Sequence, residues 1–199
     1  MKLIILDRDG VINHDSDAFI KSPAEWVPIP GSLEAIARLN RAGYQVVIST
    51  NQSGVARGLL DMSTLNAIHH KMHMAAQQVG ADIDAIFFCP HGPDDDCDCR
   101  KPRAGMLQEI GRRFNVSLKG VPAVGDSLRD LQAAFLVGCL PCLVLTGKGA
   151  ATQAKGGLPP GTVVYPDLAR MVDGLLAESH PPAQQAPPRK PKKSRPDRT

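Results

Sequence analysis

The stretch Leu3-Ile4-Ile5-Leu6-Asp7-Arg8-Asp9-Gly10 decides how the rest of the chain is read. Four aliphatic residues in succession, with no polar alternation, describe a strand covered on both faces, as in a parallel sheet between two layers of helices. The run ends in two carboxylates at i and i+2, and Gly10 gives the backbone freedom for a sharp turn. In an open α/β sheet the carboxyl ends of the strands are where functional groups collect.

Working outward, similar apolar runs fall at residues 46–48, 83–88, 121–124, 143–145 and 163–165, and each is read as a strand buried on both faces. Between them, helical spacing covers residues 33–42, 63–79, 105–114, 128–137 and 168–177, with Gly43, Gly80 and Gly138 as stop signals. The alternation predicts an α/β fold, a Rossmann-like three-layer sandwich with a mostly parallel sheet. The 199 residues, 43% of them hydrophobic, suit one domain. Aromatic residues make up 4%, and no apolar run approaches the roughly 20 residues needed to cross a bilayer.

The net charge of +3 divides unevenly. Residues 180–199 hold six Lys or Arg and one acid, interleaved with prolines, whereas residues 1–179 hold 17 basic and 19 acidic residues. The expectation is an acidic folded domain over 1–179 and a disordered basic Pro-rich tail over 180–199. Five cysteines, an odd number, and an N-terminal apolar run too short for a secretion signal point to a reducing cytoplasm.

An isolated Asp-x-Asp is more often a loop cap beside a solvated acid than a site. Two acids sharing a pocket need a counter-charge, and an oxygen-seeking cation such as Mg²⁺ would supply it. One acid could then act as nucleophile while the other moves protons. Three further stations strengthen that reading. Thr50-Asn51-Gln52-Ser53 follows the second strand with hydroxyl and amide donors suited to phosphate oxygens; Arg100-Lys101 follows the third; Asp126, in Gly125-Asp126-Ser127, follows the fourth. Nucleophile, hydroxyl donor, cationic clamp and metal carboxylate are the parts phosphoryl transfer requires.

A second cluster, Cys89, His91, Cys97 and Cys99, lies within eleven residues of a hydrophilic loop. Three thiolates and one imidazole match a closed structural Zn²⁺ site, with no position left for substrate. Arg100 and Lys101 follow the last ligand directly, so the metal loop would aim both cations at the carboxylates.

The ordered set Asp7-Arg8-Asp9-Gly10, Thr50-Asn51-Gln52, Lys101 and Gly125-Asp126 resembles the haloacid dehalogenase superfamily of phosphatases over most of residues 1–178. The resemblance implies an aspartyl-phosphate mechanism. Asp7 would be the nucleophile, Asp9 the acid and base, Thr50 and Lys101 the phosphoryl-binding pair, and Asp7, Asp126 and the Asp9 carbonyl the Mg²⁺ ligands. With the zinc loop, the chain is similar to phosphatases acting on heptose 1,7-bisphosphate or on histidinol phosphate, and Cys99-Arg100-Lys101-Pro102 favours the former. That implies a substrate-binding set of Asp15, Asn51, Gln52, Ser53 and Arg100, the last serving a second phosphate. Ser127 stands where many relatives carry a basic residue, with Arg129 two positions on.

About 40 residues separate Asp9 from Thr50, which leaves no room for a separate cap domain, so residues 11–28 and the zinc loop must select the substrate. The expected partner is a phosphorylated sugar, with no membrane or nucleic acid, and the expected state is a monomer. A phospho-accepting receiver module would share the acids, hydroxyl and lysine but has no use for the metal loop. A nucleic-acid binder would use the basic tail, yet the body is net acidic.

Overall fold

The computed structural model describes residues 1–179; the expected disordered tail, residues 180–199, lies outside the described residues. Six strands, β1 (Lys2–Leu6), β2 (Tyr44–Asn51), β3 (Ala85–Cys89), β4 (Pro122–Gly125), β5 (Leu140–Val144) and β6 (Val163–Tyr165), form one parallel sheet in the order β3-β2-β1-β4-β5-β6. The helices are α1 (Ser32–Arg41), α2 (Met62–Gln78), α3 (Gly105–Phe114), α4 (Leu128–Leu136), α5 (Gly149–Lys155) and α6 (Leu168–Ser179).

The first strand shows why the sheet needs two helical layers. Ile4 and Leu6 enter a core shared with Ile36 of α1, Ile68 of α2 and Met171 of α6. Leu3 and Ile5 point the other way, into a core with Ile110 of α3 and Ala133 of α4. Each fully buried aliphatic side chain contributes about 1.5–3 kcal/mol, so β1 alone anchors both layers. The three-layer α/β sandwich read from the sequence is therefore present. Among the described residues, no cap domain interrupts the chain between β1 and β2, where the regular elements are a 3₁₀ turn, Pro23–Glu25, and α1.

Three features differ from the sequence reading. The outermost strands β3 and β6 are only partly covered, because each has a neighbour on one side alone. β5 begins at Leu140 and not at residue 143, and Pro141 is accommodated within its ladder opposite Ala123. α5 was not anticipated: its sequence, GAATQAK, has too few apolar residues for a helical stripe.

Strand order reverses between β1 and β4, which creates a crevice at their carboxyl ends. Asp7 follows β1 and Asp126 follows β4, so the two carboxylates flank that crevice.

Candidate active site

Asp7 leaves β1 with its backbone N–H donated to the Val124 carbonyl at 2.8 Å. Its Oδ1 accepts from the Arg8 N–H at 2.7 Å and meets the Lys101 ammonium at 3.2 Å. Lys101, 4% exposed, also reaches Asp130 Oδ1 at 2.6 Å and donates to the Ser49 carbonyl at 2.7 Å. Asn51 fixes this lysine by clasping its backbone from both sides, its amide donating to the Lys101 carbonyl at 3.0 Å and accepting from the Lys101 N–H at 3.1 Å.

The turn at Gly10 brings Asp126 against Asp7. Gly10 has φ +80° and a Cβ there would lie 2.1 Å from Asp126 Oδ2; Gly147, at φ +56°, would place one 2.2 Å from the same oxygen. Both glycines are required by the close approach of backbone to carboxylate. Asp126 Oδ2 accepts from the Lys148 N–H at 2.7 Å, and its carbonyl accepts from Thr152 Oγ1 at 2.9 Å.

Carboxylate oxygens of Asp7, Asp126 and Asp130 all lie within 4.8 Å of one another. Burial pushes the Asp126 carboxyl up to about 7, reinforced by the charge of Asp130. Burial likewise holds Asp7 well above the usual carboxylate range, with Lys101 opposing. Asp130 also suffers from burial, but Lys101 and the Ser127 donors outweigh it and keep Asp130 ionised below the usual range. Lys101 is raised: burial disfavours its charge, yet Asp130 and Asp7 more than compensate. A small all-oxygen cluster whose members resist simultaneous ionisation fits a hard divalent cation such as Mg²⁺.

Asp9 points to a different side of the pocket. Its carboxylate accepts from Arg8 Nε and Nη2, from Asn13 Nδ2 at 2.9 Å and from Gln52 Nε2 at 2.9 Å. Gln52 Nε2 also donates to the buried Thr50 Oγ1 at 3.0 Å. Asp7, Asp9, Asp15, Thr50, Asn51, Gln52, Ser53, Arg100, Lys101 and Asp126, all singled out in the sequence, line one cavity of about 280 Å³.

That cavity also holds residues the sequence reading missed. Asp130 was detectable: Ser127 and Asp130 form a capping box on α4, with Ser127 Oγ donating at 2.5 Å and its N–H at 3.0 Å. Lys148 had no sequence signal, because it belongs to the loop before the unanticipated α5. Its ammonium lies 3.0 Å from Asp15 and 3.3 Å from Asp17, so the Asp15 carboxylate is tied across the cavity mouth. Arg57 and Arg129 join Arg100 on the lining. Partial burial, together with the like charges of Arg129 and Arg57, lowers the Arg100 guanidinium from its ordinary value, as expected where cations converge.

Beside this cavity, Cys89 at the end of β3 stands 3.8 Å from Cys97 Sγ and 3.6 Å from His91 Nδ1, which is 3.3 Å from Cys99 Sγ. Tetrahedral ligands at zinc–sulfur bond lengths of about 2.3 Å are separated by roughly 3.8 Å, so the cluster fits Zn²⁺. Burial pushes the Cys89 thiol up to about 12, with Cys99 adding to it, so these sulfurs need a cation to ionise together. Arg100 Nη1 donates to the His91 carbonyl at 3.1 Å and Arg103 Nη1 to that of Cys97, binding both arginine side chains to the backbone of the metal loop.

Comparison with known proteins agrees with this geometry. Residues 98–171 match the HAD-hydrolase-like family, and residues 2–128 match the polynucleotide kinase 3 phosphatase family. D-glycero-beta-D-manno-heptose-1,7-bisphosphate 7-phosphatase of Bordetella bronchiseptica is 65% identical over 90% of this chain and 100% of its own length. The protein of that name from Pseudomonas aeruginosa is 53% identical over 87% of this chain and 97% of its own. The crystal structure of D,D-heptose 1,7-bisphosphate phosphatase from B. bronchiseptica, complexed with magnesium and phosphate, superposes with a TM-score of 0.89 at 66% identity, covering 89% of this chain and 99% of that one. With such identity over nearly the full length of its relatives, the chain belongs to the haloacid dehalogenase-like phosphatases, in the family of the D-glycero-beta-D-manno-heptose-1,7-bisphosphate 7-phosphatases.

Proposed function

We propose that the protein removes the 7-phosphate of D-glycero-D-manno-heptose 1,7-bisphosphate by way of an aspartyl-phosphate, within ADP- or GDP-heptose synthesis for surface polysaccharide. The observation that carries this reading is the Lys101 ammonium held between Asp7 and Asp130 in a cavity that three arginines also line. One phosphoryl group meets the lysine and the nucleophile. A second phosphate meets Arg100, with Arg57 and Arg129 beside it. Arg129 thereby takes over the basic role for which Ser127 is unsuited.

With Asp7 Oδ1 held by the Arg8 N–H and Lys101, Oδ2 is the oxygen that attacks phosphorus. The bond from phosphorus to the sugar oxygen breaks, and Asp9 protonates that oxygen. Asp9 then takes a proton from water, which attacks the aspartyl-phosphate and releases inorganic phosphate. Thr50 and Lys101 hold the phosphoryl oxygens throughout. Asp7, Asp126 and the Asp9 carbonyl would hold Mg²⁺, which when bound neutralises charge on the transferring group. Asp15 serves the sugar hydroxyls once Lys148 releases it, with Asn51, Gln52 and Ser53 completing the substrate wall. Cys89, His91, Cys97 and Cys99 would hold a structural Zn²⁺.

Histidinol phosphate is the weaker alternative: it offers no second phosphate to the arginines, and the relatives described above are all named for the heptose substrate. A receiver module is set aside by membership in a phosphatase family. No helix among the described residues is long and apolar enough to cross a membrane. The reading includes a cytoplasmic monomer whose activity resides in residues 1–179. Comparing kcat/KM for the heptose bisphosphate, histidinol phosphate and an aryl phosphate tests the assignment: the bisphosphate is expected to lead, and a clear lead for histidinol phosphate overturns it.

A further inference from the structure

Arg8, between the two catalytic-turn carboxylates, sends its side chain away from the cavity and into the protein, where it is 1% exposed. Its guanidinium grips Asp9 through Nε to Oδ1 at 3.1 Å, and through Nη2 to Oδ1 at 3.0 Å and Oδ2 at 2.9 Å. Nη2 also donates to Gln52 Oε1 at 3.0 Å, while Nη1 lies 3.3 Å from Nε2 of His69 on α2. A guanidinium has no acceptor, so His69 must receive this hydrogen bond, which places the imidazole proton on Nδ1.

These contacts act in sequence on groups that line the cavity. Because Gln52 Oε1 accepts from Arg8, the amide can turn only one way, and its Nε2 faces Asp9 Oδ2 and Thr50 Oγ1. One buried guanidinium thus sets both the direction of the Asp9 carboxylate and the flip of Gln52. His69 is buried, packs its ring against Phe88 at 6.0 Å and does not line the cavity. It stands where it can stop Arg8 from rotating, since without an acceptor there Nη1 would be left buried and unpaired.

We propose that His69, acting through Arg8, is a positioning residue that aims Asp9 at the leaving oxygen and orients Gln52 toward Thr50. The inference rests on the reading of Asp9 as the proton-transfer residue. Nothing in the haloacid-type set of nucleophile, hydroxyl, lysine and metal acid calls for an acceptor on α2; only the buried guanidinium does.

The experiment compares wild type with His69→Leu, which keeps bulk against Phe88 but removes the acceptor, and His69→Gln, whose amide oxygen can replace Nε2. The measurement is kcat and KM with the heptose bisphosphate and with p-nitrophenyl phosphate, whose leaving group departs without a proton. For His69→Leu, kcat/KM on the bisphosphate is expected to fall about tenfold, with the loss in kcat. On the aryl phosphate it should change less than about twofold, and His69→Gln should recover most of the loss. An equal fall on both substrates, no fall at all, or an equal loss in the Gln variant overturns the proposal. If the Leu variant fails to fold, His69→Asn, too short to reach Arg8, replaces it under the same criteria. Wild type inactive on the bisphosphate but active on the aryl phosphate would instead overturn the substrate reading.

Discussion

The carboxylate crevice and the thiol loop are adjacent clusters of acidic ligands, and each packs its ligand atoms within 4.8 Å. They differ in what surrounds them. Among the carboxylates, the single charge of Lys101 is shared between Asp7 and Asp130, Asp7 and Asp126 are pushed toward protonation, and a cavity of about 280 Å³ opens beside them. Among the thiols, the three sulfurs and one imidazole nitrogen lie against one another, backbone N–H groups of the same loop bond to the sulfurs, and the side chains of the nearby arginines bond to main-chain carbonyls. An ion in the first place keeps room for a substrate; an ion in the second has its four ligands and no more. Like-charge crowding alone does not separate chemistry from scaffolding, whereas the space left beside the cluster does.

The largest expected effect belongs to the open cluster. Asp7→Asn should lower turnover by at least about 10³-fold while far-ultraviolet circular dichroism and melting temperature stay near wild type, because the nucleophile is lost and its volume kept. Retained phosphatase activity would remove Asp7 as the nucleophile. Lys101→Met should also lose activity, by roughly 10²-fold or more. Because it strands Asp130 without its buried partner, it should also cost about 3–5 kcal/mol in denaturant unfolding. An Asp130→Asn change introduced with it should restore part of that stability.

The closed cluster should invert this order. Cys97→Ser should reduce zinc measured by atomic emission from about one ion per chain toward zero, with a lowered melting temperature, and activity should fall as a consequence of misplaced Arg100 and Lys101. Loss of activity with full zinc and unchanged melting would show that the loop takes part in the reaction, and the contrast between the two clusters would collapse.

A smaller effect sharpens the contrast from beneath the crevice. Burial, with help from the Arg8 charge, pushes the His69 imidazole from 6.5 down to about 4, with Asp9 opposing and His73 adding slightly. The unfolded chain therefore binds a proton here that the folded chain does not between these values, so the stability this neutral residue provides is present above pH 6.5 and is lost as pH falls toward 4. The loss is on the order of 3 kcal/mol. Wild type should show this extra acid sensitivity in unfolding experiments relative to His69→Leu. Parallel pH profiles would mean that His69 charges freely in the fold. Least of all should change on removing residues 180–199, for which kcat/KM is expected to stay within about twofold; a larger change would give the basic segment a part in catalysis.

Much of this was legible in the residues because the relevant chemistry is local. Four aliphatic residues followed by Asp7 and Asp9 announce a buried strand and its charged edge, and the ten cavity residues named from sequence do converge. The zinc set was readable because four soft ligands in so short a loop have few other uses. What escaped the reading was of two kinds. Lys148 lies between β5 and the unanticipated α5, in a loop with no motif of its own. Arg8 and His69 are 61 positions apart, and nothing in either neighbourhood signals the other. Asp130 could have been read from its capping box with Ser127, but its grip on Lys101 could not.

The sequence by itself determined the order of the strands and of the helices other than α5, the type of metal each cluster prefers and the candidates to attack or bind a phosphoryl group. These follow from hydrophobic period and side-chain chemistry, which are properties of short segments. Tertiary structure alone decided which acids hold the lysine, which arginines line the cavity and which histidine meets Arg8. Those pairings depend on the reversal of strand order between β1 and β4 and on burial, which raises the cost of an unpaired charge until each one has found its partner.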